Sequence, residues 1–399
     1  MGGLRGKVAV VGVGMIRFGE LFDKSFTDQM QEAYLNCINS VDKGFETKML
    51  DAAWFGQWSG GILGQGAQAG SPLASGIGNM HIPITRVENG CASGQDAVRN
   101  AAIGVASGLY DVVLALGCEK MRDKPSVESL IGVGGGGGGI LGYHPSWMLG
   151  MGGPSMQALY ATRQMYEHGV TQEDFSRVAV KNHYNGARCP YAHFQKEITL
   201  ERAKAAPPVC WPLNLMDCCP QTDGAAAVIL CKAEIAKNFT DKPVYVWGSH
   251  LGIDHANYWD KKQFVSILST VRAAKGVFEM AGITPQDLDF AEVHDCFTNI
   301  ELMHYQDMGF CEMGKGHLLL REGYWNMDGT LPVNPSGGLK AHGHPIAATG
   351  VGQICEAFWQ LREEAGARQV KLNKGLGLTH NSGGPGFGTA GMHILSREL

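Results

Sequence analysis

Four short segments hold the residues best suited to chemistry. The first, Asn89-Gly90-Cys91-Ala92-Ser93-Gly94, stands where an apolar strand-like run gives way to an Ala-rich helical period. A thiol at a helix N-terminus meets free backbone N–H groups and the positive end of the helix dipole, which can draw its pKa from about 8.5 into a range of roughly 3.5–7.5. Small neighbours leave room for a substrate, although a lone cysteine is as readily a small core hydrophobe. The second, Glu292-Val293-His294-Asp295-Cys296-Phe297, ends a predicted strand. His294 and Cys296 are two residues apart, so in an extended chain they share one side and can hold and move a proton together. A zinc site is the other reading, and it lacks a nearby second pair of ligands.

The third segment runs from Asn334-Pro335-Ser336-Gly337-Gly338-Leu339 to His342-Gly343-His344-Pro345-Ile346-Ala347-Ala348-Thr349-Gly350. Pro345 reads as a first helical residue, which sets the His344 imidazole at the mouth of a helix. The positive helix end disfavours imidazolium, so His344 is expected neutral and able to take a proton. The fourth, His380-Asn381-Ser382-Gly383-Gly384-Pro385-Gly386, follows an apolar run. It reads as a Gly-rich turn that can aim backbone N–H groups at an oxyanion.

These segments need elements to position them. Lys7–Gly14 reads as a buried strand and Phe26–Val41 as an amphipathic helix. Met49–Gly56 is a second strand, Thr85–Glu88 leads into Cys91, Ser93–Gly108 is helical, and Asp111–Gly117 is again a strand. The second half repeats the plan with strand Val244–Gly248, helix Ser269–Gly282, strand Asp287–His294, helix Ala347–Glu364 and strand Gly375–Thr379. Alternation of this kind predicts an α/β fold with a partly parallel sheet, and its recurrence predicts a duplicated unit. Met121 to Asp223 fits neither half. It carries the hexaglycine run Gly134–Gly139, followed by Trp147, Met148 and Met151, and reads as an inserted loop region serving substrate.

Composition narrows the function classes. The chain has 399 residues, 44% hydrophobic and 18% charged, with a formal net charge of −5. It can bury a large core, and it lacks the basic face a nucleic-acid binder needs. No apolar run is long enough to span a membrane, and no signal peptide opens the chain. Eleven cysteines without paired spacing suit a reducing compartment, so the expectation is cytoplasmic. Glycine, at 56 residues, is twice the usual share of roughly 7%. Gly12-Val13-Gly14 with Gly19 lacks the spacing of a dinucleotide fingerprint. Cys210, Cys218 and Cys219 read as core packing rather than metal ligands, and His183 and His255 as surface or loop histidines. The terminus Ser396-Arg397-Glu398-Leu399 is not the Ser-Lys-Leu peroxisomal signal, and no fused lipid-carrier segment is expected after it.

Taken together, the four segments resemble the thiolase superfamily, specifically its sterol-carrier-protein-2 type. Cys91-Ala92-Ser93 matches the nucleophile motif Cys-x-Ser, and Gly343-His344-Pro345 matches Gly-His-Pro. His294-Asp295-Cys296-Phe297 matches the box that separates this type from thiolases with Asn-Glu-Ala-Phe there. One departure is Asn381-Ser382-Gly383, where common thiolases carry Cys-x-Gly; in the sterol-carrier type the thiol of the His-Asp-Cys-Phe box takes over, here Cys296. The resemblance implies a thiolase fold of two similar βαβαβαββ halves in five α-β-α-β-α layers. Residues 1–120 with 224–242 would form the N-terminal half, 121–223 an inserted loop domain for CoA and substrate, and 243–399 the C-terminal half. It implies CoA-dependent cleavage of a 3-oxoacyl-CoA, or the reverse Claisen condensation, through an acyl-enzyme on Cys91. His344 would be its base and Cys296 the second acid/base, His294 and His344 would hold the thioester oxygen, and Gly383 and Ser336 would stand at the oxyanion and substrate. Coenzyme A would be a cosubstrate, with no resident cofactor and no metal. A homodimer is expected. The alternative is a subunit of an acyltransferase complex with a small zinc-ribbon/OB-fold partner, acting on acetoacetyl-CoA or an aromatic substrate such as benzoylsuccinyl-CoA.

Overall fold

The computed structural model describes residues 3–60, 70–125, 129, 151–256 and 258–399. The hexaglycine run with Trp147 and Met148 lies outside them; Met151 packs at the margin of an apolar cluster that includes Cys296.

The first half builds β1 (Val8–Met15), α1 (Phe26–Asn39), β2 (Ala52–Gly56), α2 (Gly70–Ile77), β3 (Ile84–Val87), α3 (Ser93–Ala106) and β4 (Val112–Glu119). Next come α4 (Gly153–His168), α5 (Gln172–Gly186), α6 (Leu200–Lys204) and a small hairpin of β5 (Pro208–Cys210) and β6 (Leu213–Asn214). So the segment expected as loops carries, among its described residues, three helices and a hairpin. β7 (Gly224–Lys232) then returns to the first half. The second half builds β8 (Val244–Ile253), α7 (Leu268–Ala281), β9 (Phe290–Glu292), α8 (Thr298–Asp307), α9 (Gly316–Arg321), α10 (Gly338–His342), α11 (Ile346–Leu361), β10 (Leu376–Gly383) and β11 (Thr389–Ser396).

One nine-stranded sheet carries both halves, in the order β3-β2-β4-β7-β1-β8-β11-β10-β9. From the centre outward, β1, β7, β4, β2 and β3 are matched by β8, β11, β10, β9 and a parallel bridge between Ala291 and Val333. The pairing signs match too: antiparallel for β1–β7, β4–β7, β8–β11 and β10–β11, parallel for β2–β4, β2–β3 and β9–β10. Strands β1 and β4 are buried at every residue, which is why they read as unbroken apolar runs rather than alternating ones.

Helices α3 and α11 pack against strands of both halves. There Val10, Val113, Val228 and Val246 meet Val98 of α3 and Ile354 of α11. On the opposite face, Val11 and Ile229 share a core with Met30 and Ala33 of α1, and Met392 and Ile394 with Ala273 and Val277 of α7. Five layers result, with α3 and α11 in the middle and their N-termini at the strand ends. No helix among the described residues is long and apolar enough to cross a membrane.

Candidate active site

Cys91 sits in a turn that the sequence ties tightly. The backbone N–H of Asn89 donates to Ser93 Oγ at 2.9 Å, Ser93 Oγ donates to the Gly90 carbonyl, and the N–H of Gly90 donates to Glu88 Oε1 at 2.9 Å. Gly90 has φ +58°, and a Cβ there would lie 2.5 Å from the N of Gly384. Both its conformation and its clearance therefore require glycine. The thiol emerges just before α3, but the dipole does not decide its state. Burial and the nearby Glu119 charge push it up to about 12, although the N–H groups of Cys91 and Gly384 act to lower it. The expected low-pKa thiol is thus corrected to a protonated one, because desolvation outweighs the helix end.

His344 precedes α11, with Pro345 in the capping position rather than the first turn. Gly343 has φ +104°, which lets the chain swing the imidazole inward. The hydroxyl of Thr349 donates to the Pro345 carbonyl and meets His344 Nδ1 at 2.8 Å. That hydroxyl oxygen therefore accepts from Nδ1–H, and Nε2 keeps its lone pair. Burial lowers the His344 pKa to about 3, so the ring is neutral as expected, by desolvation more than by dipole.

His294 lies two residues beyond the end of β9. Asn381 Nδ2 donates to the His380 carbonyl and points at His294 Nδ1, 3.4 Å away. This fixes the opposite tautomer: Nδ1 accepts and Nε2 carries the proton. Burial, with His344 and His304 beside it, holds His294 well below the usual imidazole range. The Nε2 atoms of His294 and His344 have no hydrogen-bond partner among the described residues. A ring nitrogen of each lies within 4.8 Å of Cys91 Sγ and of the other. A proton acceptor and a proton donor thus face one thiol.

Cys296 lines the same cavity of about 420 Å³ as Cys91 and His344. Burial raises its thiol well above the ordinary range. Asp295 turns away from the cavity and accepts from the N–H groups of Leu339 and Lys340 and from Asn182 Nδ2, all within 3.1 Å. Beneath it, Glu301 accepts from Asn182 and Asn334 and pairs with Lys181 at 2.9 Å. The Val293 N–H donates to Asn334 Oδ1 at 2.7 Å, which ties the His294–Cys296 strap to this network.

Several expectations need correction. His380 to Gly383 form no turn: they complete β10 and are fully buried, and the chain turns only from Gly384. The backbone N–H directed at the Cys91 sulfur is that of Gly384, not Gly383. Gly383 serves by absence, since a Cβ there would lie 2.2 Å from the Asn89 carbonyl oxygen. Ser336 does not line the cavity; its hydroxyl and N–H donate to the buried carboxyl of Glu292 at 2.7 and 2.9 Å. Cys210 packs against the main core and Cys219 against the apolar cluster around Cys296, while Cys218 and Cys219 also line the cavity. His183 is buried in α5 against the Lys196 carbonyl, and burial lowers its pKa to about 4. The orienting roles of Thr349 and Asn381, and Glu119 altogether, were not foreseen. Only Thr349, in the first turn after His344, carried a local signal.

Comparison with known proteins agrees with this geometry. Residues 8–207 match the thiolase N-terminal domain and residues 251–397 the thiolase C-terminal domain-like family. The chain is 44% identical to acetyl-CoA acetyltransferase of Methanothermobacter thermautotrophicus, across 98% of this chain and 99% of the relative. It is 33% identical to sterol carrier protein 2 of Homo sapiens, across 94% of this chain and 70% of that one. Among solved structures, the Ltp2-ChsH2(DUF35) aldolase superposes with a TM-score of 0.85 at 25% identity, across 99% of both chains. The chain belongs to the thiolase superfamily, in its sterol-carrier-protein-2 branch.

Proposed function

We propose that this thiolase cleaves a 3-oxoacyl-CoA with free CoA, and runs the reverse condensation, through an acyl-enzyme on Cys91. The observation that carries the reading is the meeting of Cys91 Sγ with ring nitrogens of His294 and His344 within 4.8 Å, beside a second thiol, Cys296. His344 Nε2 takes the Cys91 proton as the sulfur bonds to the 3-keto carbon, so charge separates only when substrate is present. The N–H groups of Cys91 and Gly384 receive the resulting alkoxide. The C2–C3 bond breaks, its electron pair passes into the enolate of acetyl-CoA, and Cys296 gives its proton to C2. His294 Nε2–H faces the thioester oxygen where the enolate charge builds. The Cys296 thiolate then takes the proton of incoming CoA, whose sulfur displaces the acyl group from Cys91, and the leaving Cys91 sulfur takes back the proton held on His344, which restores every group. Coenzyme A is a cosubstrate, and no resident cofactor enters.

Intact mass after mixing with acetoacetyl-CoA tests the reading. A Cys91 acyl adduct that CoA discharges supports it, and turnover by Cys91→Ala refutes the nucleophile. Cys296→Ala should accept an acyl group from a reactive thioester yet fail at carbon–carbon chemistry. Eleven free cysteines support a reducing, cytoplasmic setting. The edge strand β3 of the N-terminal half is where a homodimer would form. A small zinc-ribbon/OB-fold partner is the second reading, favoured by the DUF35 component named in the aldolase neighbour.

A further inference from the structure

The acyl group on Cys91 has a wall of its own. The 3-keto carbon bonded to sulfur carries three other substituents: the oxygen, the departing carbon and the acyl chain. Oxygen goes to the Cys91 and Gly384 N–H groups, and the departing carbon goes toward Cys296, as proposed above. The acyl chain is left with the remaining apolar surface beside the sulfur. Met156, Val209, Leu215, Phe297 and Phe387 also line the cavity, but the cluster that packs on Cys91 itself is Trp58 with Met121 and Ile346, the last two buried. Cys91 and all three line the cavity.

Met121 and Ile346 are locked in place, one just beyond β4 and the other at the start of α11. Trp58 stands two residues beyond β2, in a link whose described residues, 57–60, include no strand or helix. It is held instead by Glu119, the last residue of β4. The N–H groups of Trp58 and Ser59 donate to its carboxyl at 2.5 and 3.1 Å, and the Ser59 hydroxyl donates as well. Glu119 is fully buried, so the link cannot shift without stripping a carboxyl of its donors, a costly change in such surroundings. We propose that Trp58, clamped through its backbone by Glu119, limits the length of the acyl group on Cys91 and restricts this thiolase to short acyl chains. The proposal rests on the thiolase reading above.

The test is thiolysis of 3-oxobutanoyl-, 3-oxohexanoyl- and 3-oxooctanoyl-CoA by wild type, Trp58→Ala, Trp58→Phe and Glu119→Gln, with the Cys91 adduct weighed in each. One methylene in an apolar pocket is worth roughly 10–200-fold in kcat/KM. Trp58→Ala should therefore raise the six-carbon over four-carbon ratio at least about tenfold. Trp58→Phe should move it the same way by less, and it carries the test if the alanine variant does not fold. Glu119→Gln should relax the ratio in the same direction with the KM for CoA unmoved, which general destabilisation would not produce. An unchanged ratio in a folded Trp58 variant that still acylates overturns the proposal and leaves the thiolase reading standing. So does a wild type that prefers the eight-carbon substrate. A wild type that cleaves none of the three overturns both.

Discussion

The two halves share one strand order, yet they bring different chemistry to the shared cavity. In the N-terminal half the helix that follows the edge strand, α3, opens next to a thiol; in the C-terminal half its counterpart, α11, opens next to an imidazole. The tip beyond β2 supplies an apolar wall in Trp58, and the tip beyond β9 supplies His294 and Cys296. Even the ends of β4 and β10 differ, in Glu119 against Asn381. What stays alike is inside: pairing signs, apolar strands, central helices. What differs is at the strand ends, where side chains can change without unseating the core, as is general for open α/β sheets.

The largest test of this division is to remove the one group the N-terminal half contributes to bond formation. Cys91→Ala should lower turnover by a factor on the order of 10⁶, as for other lost nucleophiles, measured by CoA consumption during thiolysis. Removing the imidazole from the opposite helix should cost less. His344→Ala is expected to lose on the order of 10²–10⁴-fold in turnover, with slowed adduct formation in rapid-quench mass measurements. Asn381→Ala sharpens the contrast, because that residue only sets the tautomer of His294. A loss of roughly 10–100-fold is expected, with Cys91 acylation from a reactive thioester spared and carbon–carbon cleavage affected.

The joint between the halves is open to attack as well. A Cβ on Gly94 would lie 2.1 Å from the carbonyl oxygen of Ala347, so α3 and α11 touch backbone to backbone close to Cys91 and His344. Gly94→Ala should cost about 1–3 kcal/mol in denaturant unfolding and slow turnover by parting the two helix ends. The mildest test is electrostatic. With the Cys91 thiol pushed up to about 12, alkylation by iodoacetamide should rise steadily from pH 7 to 10 without a plateau. The Glu119 charge is one of the causes of that rise. Its removal in Glu119→Gln lowers the thiol pKa, so alkylation at any pH in this window should become faster.

Residue type and local spacing picked out side chains that the fold brings together. Cys91, His294, Cys296 and His344 do line or adjoin one cavity, and the apolar runs did mark strands. The sequence misleads where polarity is buried. His380, Asn381 and Ser382 look like a turn because polar residues usually face water, yet they are the core of β10. Their partners are Thr270 and His294, which lie 110 and 87 positions away. No periodicity announces such a pairing. The Cys91 error has a related origin: a motif shows the helix end nearby, while the desolvation that overrides it comes from residues brought in by the whole fold.

Strand β1 occupies the middle of the sheet, bonded to β7 along its length and to β8 at Ala9 and Val10. During synthesis, Val8–Met15 leaves the ribosome first and waits with both edges bare until Gly224–Lys232 and then Val244–Ile253 have been made. Closing contacts so distant along the chain is slow, and apolar strand edges are sticky while they wait. The N-terminal half cannot close before β7 has been made, and a nascent chain stalled before that point is a natural client for a holding chaperone.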